Sequence, residues 1–317
     1  MKLREIYDLA VKLGIDKDVR GPREIEKILL EKRRQFELME EKDAVFFDEE
    51  ALSNPFSDTR ILFGTGEEEI NTMMVGIDIE VAEILLADQL RQRGRKVDMV
   101  LAHHPEGVAL AGLYGVMDLQ ADLLARAGVP VNIGDNIMTA RISEVKRNIM
   151  PVNHQRAVDA ARMLDIPFMC VHTPADNLVN DFVQSYIDEK KPERLKEVID
   201  LLVEIPEYRH AGIMKAGPQL VVGDKKQRAG RIMVDFTGGT SGSSEVYEKL
   251  QFSGVGTVVC MHIQEKHREQ AKKHNINVVV AGHIASDSLG LNLFLDQVES
   301  YGVSVIAGSG LIRVSRL

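Results

Sequence analysis

The sequence predicts an α/β protein with two βαβ-containing lobes behind an N-terminal helical segment, divided as residues 1–60, 61–204 and 205–317. Three observations carry that prediction. Short, nearly continuous apolar runs at 99–102, 167–171, 258–261 and 278–282 read as strands buried on both faces. Apolar residues at helical spacing fill the intervals, at lengths suited to crossovers between parallel strands. All four runs stop on histidine: His103-His104, His172, His262 and His283. In an open α/β sheet the site lies beyond the carboxyl ends of the strands, so the predicted fold also predicts where chemistry gathers.

Taken in order, Leu3, Ile6, Tyr7, Ala10 and Leu13 follow helical spacing up to Gly14, and Pro22 opens a second helix carrying Ile25, Ile28, Leu29 and Phe36. The other face of that helix is charged, which reads as a solvated face or, more sharply, an oligomer contact. Residues 53–58 read as a linker. A βαβ unit follows: a strand at 72–77, a helix at 81–93 closed by Gly94, and a strand at 97–102. Helices are expected at 116–128 and 154–164, the latter leading into the strand that ends at His172. Two more are expected at 177–187 and 192–204, the second opened by Pro192. Residues 205–230 read as an elaborated connection. The alternation then resumes with strands at 231–236, 256–261, 277–282 and 303–307 and helices at 245–250, 265–274 and 288–300.

Composition narrows the function. With 317 residues and 44% hydrophobic content the chain can bury a large core, and with no Trp that core is aliphatic. A net charge of -9 argues against a nucleic-acid backbone as partner. No apolar run approaches the roughly 18 residues of a membrane span, and the N-terminus reads as an amphipathic helix and not a secretory signal. Cys170 and Cys260 sit inside apolar runs, which reads as two buried thiols in a reducing, cytoplasmic setting.

Imidazoles and carboxylates at strand ends have the composition of a metal site. Inside a strand His103 and His104 would face opposite ways; where the backbone turns before Pro105 they can serve one ion or two, or be two loop histidines. Asp176 lies four residues after His172, and Asp287 four after His283. Asp176 either joins the histidines or caps a helix starting at Asn177. His283 and Asp287 share a face if the chain is helical from Ala285. His262 reads as a ligand, a proton-transfer residue or a hydrogen-bonded spectator. The loop Thr237-Gly238-Gly239-Thr240-Ser241-Gly242-Ser243-Ser244 could cradle a phosphate, but it lacks both the P-loop ending and the dinucleotide spacing, and a tight turn at the edge of the site is its simpler role.

His-His-Pro after a strand, then His-Thr-x-x-Asp, then Gly-His-x-x-Ser-Asp near the C-terminus, spread in order over about residues 72–310, resemble the NIF-three-like family. Its members are dinuclear metal-binding proteins often labelled homologues of type I GTP cyclohydrolase. The resemblance implies two α/β lobes with a metal pair between them and toroidal, hexameric homo-oligomers. It carries His103, His104, Asp176 and His283 over as ligands, with His172 adjoining the site. Asp287 takes the place of the family's usual glutamate. Cys260-Met261-His262 stands where Thr-Gly-Glu is usual, so an imidazole replaces a carboxylate.

The resulting expectation is a metal-dependent hydrolase acting on a small molecule. Two divalent cations (zinc, iron, manganese or nickel) would be held by His103, His104, Asp176, His283 and Asp287. A water would bridge them, Asp176 would be the bridging carboxylate, and His172 and His262 would be the catalytic proton carriers. The alternative is a non-catalytic metal-binding or metal-delivery protein, and a third reading is a nucleotide-binding regulator built on residues 237–244.

Overall fold

The computed structural model describes all residues from Met1 to Leu317. Two sheets form two α/β layers, as the alternation of runs predicts. The first contains β1 (Arg60–Phe63), β2 (Thr72–Gly76), β3 (Met99–Ala102) and β4 (Phe168–Cys170). The second contains β5 (Gln219–Val222), β6 (Arg231–Asp235), β7 (Val255–Cys260) and β8 (Asn277–Val280), in the order β5-β8-β7-β6. The last strand, β9 (Ser304–Ala307), returns to the first sheet and pairs in parallel with β2, giving β1-β4-β3-β2-β9. This corrects the assignment of all residues after 205 to the second lobe. Pairing with β2 is non-local and leaves no mark in the local pattern.

The two sheets repeat one arrangement. In each, parallel strands end in an antiparallel edge, β1 on β4 and β5 on β8, each with a register shift. β4 and β8 each run into a histidine and then a long helix, Thr173–Lys190 and His283–Ser300. Both helices start earlier than expected. Pro174 sits in the first turn, where a missing N–H costs no intrahelical bond, and Gly282 at φ +116° makes the turn into His283. Asp176 is therefore inside its helix and does not cap a later one.

These helices cross closely. A Cβ on Gly290 would lie 2.3 Å from the carbonyl oxygen of Ala175, so only glycine fits. Asp176 adjoins that contact, and Asp287 lies one helical turn before it, so the crossing brings the two carboxylates together.

The N-terminal segment is less separate than its sequence suggests. Leu3, Ile6, Tyr7, Ala10 and Val11 share one core with Met73, Val75, Met99 and Leu101 from β2 and β3. Gly14 abuts Pro174, and its carbonyl accepts from Asn177 Nδ2 at 3.1 Å. The Pro22–Glu37 helix, by contrast, buries only Ile25. Several further elements lay outside the sequence reading, among them β5 and the Pro206–Ile213 helix within the expected connection at 205–230. β1 follows the expected linker directly. Val131–Ile149 is a 19-residue helix, whose polar residues and Gly134 mask its periodicity. No helix is long and apolar enough to cross a membrane.

Candidate metal centre

The carboxyl ends of the parallel strands meet between the two sheets. β3 delivers His103 and His104, whose amides are held by the carbonyls of Gly76 and Ile77 at 3.0 and 2.9 Å. β4 delivers His172, β7 His262, and β8 His283. The first turn of one long helix adds Asp176, and the start of the second turn of the other adds Asp287. Donor atoms of His103, His104 and His172, of His104, His283 and Asp287, and of His103, Asp176 and Asp287 lie within 4.8 Å of one another in each group.

The distances suit cations better than direct hydrogen bonds. His103 Nε2 is 3.4 Å from Asp176 Oδ1 and 3.5 Å from Asp287 Oδ1. His104 Nε2 and His283 Nε2 are each 3.6 Å from Asp287 Oδ2. Charge-assisted bonds run at about 2.7–2.9 Å. Two ligands at about 2.0–2.2 Å from a tetrahedral ion stand about 3.4 Å apart. His103 Nε2 and both oxygens of Asp287 are buried without a hydrogen-bond partner. Native proteins seldom leave such atoms orphaned, and a cation between them satisfies all three. The residues therefore fit divalent metal.

Asp287 is the carboxylate that spans the centre, with one oxygen toward His103 and the other toward His104 and His283. Asp176, the bridging candidate from sequence, has Oδ1 near His103 and Oδ2 3.9 Å from His172 Nε2, both on the first-sheet side. The cause is placement: Asp287 rides on the helix of the second lobe and looks across the gap.

Behind the ring nitrogens lies a further set of partners. His103 Nδ1 pairs with the Val171 carbonyl at 3.0 Å, His104 Nδ1 with Asp78 Oδ1 at 2.6 Å, and His172 Nδ1 with Asp58 Oδ2 at 2.8 Å. Each contact protonates Nδ1 and turns the Nε2 lone pair inward, as metal-ligating histidines require. Asp58 also accepts from Thr173 Oγ1 and is fully buried. Sequence reading passed over both aspartates: Asp58 lay in the expected linker, and Asp78 was only the polar end of a strand. The one usable signal was a lone acid at an element boundary.

Charge within the cluster is mutually compensated. Burial opposes a charged His103, yet Asp287 and Asp176 outweigh it and raise the imidazole to about 10. Burial likewise opposes a charged Asp287, and His103, His104 and His283 hold its carboxyl well below the ordinary range. Burial lowers His283 and His262, which favours neutral imidazoles.

His262 stands at the rim. Its ring centroid is 4.9 Å from that of His283, and its Nε2 shares a hydrogen bond with Ser241 Oγ at 2.9 Å. A cleft opens there, lined by His172, Asp176, His262, His283, Asp287 and the glycine-rich loop. A larger groove lies elsewhere, around Arg126 and Arg231, and contains none of these groups.

A two-lobed α/β protein with a buried His/Asp cluster between its sheets is the class this defines. No protein-family model and no curated protein matches the chain. Among solved structures it is similar to a NIF3 superfamily protein from Sphaerobacter thermophilus: 27% identity, 92% of this chain and 98% of that one covered, TM-score 0.71. It shares its fold with reduced HcgD from Methanocaldococcus jannaschii, at 14% identity, with 85% and 97% covered and a TM-score of 0.51. Motifs and fold agree in their likeness to NIF3 superfamily proteins.

Proposed function

We propose that this protein is a dinuclear metal-dependent hydrolase acting on a small molecule. His103, Asp176 and Asp287 would hold one divalent cation, and His104, His283 and Asp287 the other. The observation that carries this reading is the orphaned trio, His103 Nε2 with Asp287 Oδ1 and Oδ2, buried at ligand-to-ligand spacing. Mixed imidazole and carboxylate donors suit zinc, iron, manganese or nickel.

Divalent cations bound there supply Lewis acidity and bring the pKa of a coordinated water from about 15.7 towards about 7. The chain's own part is to orient and to move protons. Asp58 fixes the His172 tautomer and leaves Nε2 free to take a proton at the cleft wall. His262, kept neutral by burial, presents a second imidazole at the rim, where substrate would enter. The two long helices bury Asp176 and Asp287, while His283 stays partly open to the cleft.

The cleft favours an enzyme over the second reading, a metal-binding or metal-delivery protein, because such a protein needs no pocket beside its metal. We place the protein in the cytoplasm as a homo-oligomer, on the reading of its thiols and its family resemblance. Elemental analysis of protein purified without added metal, followed by titration, tests the metal reading: two divalent ions per chain are expected, and none taken up overturns it. A metal-replete hydrolase screen, with Asp176→Ala as control, separates enzyme from carrier.

A further inference from the structure

The glycine-rich loop after β6 forms the wall of the cleft that faces the metal cluster. Its carbonyls are already engaged. Gln120 Nε2 donates to those of Gly238 and Thr240, both at 2.6 Å. Arg141 Nε donates to that of Ser241 at 3.0 Å, and His267 Nε2 to that of Gly242 at 3.1 Å. Of the amides from Gly238 to Gly242, only that of Thr240 has an acceptor, the Gly238 carbonyl. Those of Gly238, Gly239, Ser241 and Gly242 have none. Gly238 and Gly239 adopt φ +100° and +85°, so the chain turns sharply there, and successive N–H groups in turns can form anion-binding concavities.

Three side chains that secure only carbonyls are more than a tight turn needs. They hold the loop in the one polarity that leaves donors over. The same cleft is lined by Asp287, almost wholly buried and with both oxygens unpartnered. One wall thus carries Gly239, Ser241 and Gly242, whose amides lack acceptors, and the other the cluster.

We propose that residues 238–242 bind the phosphoryl group of a small phosphomonoester and present it to the metal centre. This rests on the metal-site reading for its second half only; the loop can be tested without metal. Asp235, at the end of β6, is a carboxylate on the same cleft, and its charge opposes the anion.

The test is a titration of chelator-treated, metal-free protein with inorganic phosphate and with methyl phosphate, followed by amide nitrogen–proton spectra. Shifts centred on Gly238, Gly239, Ser241 and Gly242 are expected, with methyl phosphate binding at least as tightly as phosphate. Ser241→Pro, which removes one amide, should bind about tenfold more weakly than Ser241→Ala, which keeps it. Asp235→Asn should bind more tightly than the natural chain. No shift in these amides, or equal binding by the two Ser241 variants with intact spectra elsewhere, overturns the proposal. Inorganic phosphate alone binding would overturn its phosphomonoester part. Phosphate binding that appears only with metal and leaves the loop amides unmoved would overturn the loop and spare the metal reading. Loop shifts in a protein that takes up no metal would do the reverse.

Discussion

The two sheets present histidines to one gap but support them differently. On the first sheet His103, His104 and His172 each have Nδ1 tied back, to the Val171 carbonyl, Asp78 and Asp58. On the second, neither His262 nor His283 has a carboxylate behind its ring, and His262 reaches instead to a loop hydroxyl. The histidines of the first wall are held from behind, whereas the rings of the second wall are freer to adjust to what enters the cleft. One fold plan, used twice, gives a rigid wall on one side and a compliant one on the other.

The comparison breaks most sharply at Asp287, which reaches across. Asp287→Ala should abolish uptake at both positions, read by elemental analysis. Metal at a hundredfold excess over its Kd stabilises the natural chain by about 2.7 kcal/mol; in the variant that rise in Tm should vanish. Gly290→Ala attacks the crossing that sets the two walls apart. Its Cβ would meet the Ala175 carbonyl, so a loss of about 3 kcal/mol in denaturant unfolding is expected, together with weaker metal binding.

Smaller changes sharpen the contrast. Asp58→Asn removes support from the rigid wall and should weaken metal binding by about 10–100-fold, measured by competition with a chelator. On the compliant wall, His262→Gln should leave metal content unchanged and lower only turnover. Equal metal loss in both variants would show that the walls are alike. The mildest expectation concerns the thiols, one in each sheet. Cys170 and Cys260 are buried in β4 and β7, and burial pushes the Cys170 thiol up to about 12. Neither should react with a thiol reagent at pH 8 until the protein unfolds.

Much of this was legible in the residues. Apolar runs closed by histidine located β3, β4, β7 and β8 and, with them, the gap where His103, His104, His172, His262 and His283 meet. The four-residue intervals to Asp176 and Asp287 were legible because a helix turns once in that distance. Asp58 was not, since its partner His172 lies 114 positions away and nothing near it in sequence marks it. β1 was missed because an edge strand of four residues leaves almost no periodic signal. The 131–149 helix was missed because its polar residues break the stripe.

By itself the sequence determined the alternation of strand and helix, the histidine at each strand end and the family motifs, because all are properties of neighbouring residues. Tertiary structure alone decided which carboxylate spans the centre, which acids stand behind the imidazoles, and that the last strand returns to the first sheet. Those follow from contacts between residues far apart in the chain, and the crossing that only Gly290 permits sets the first of them.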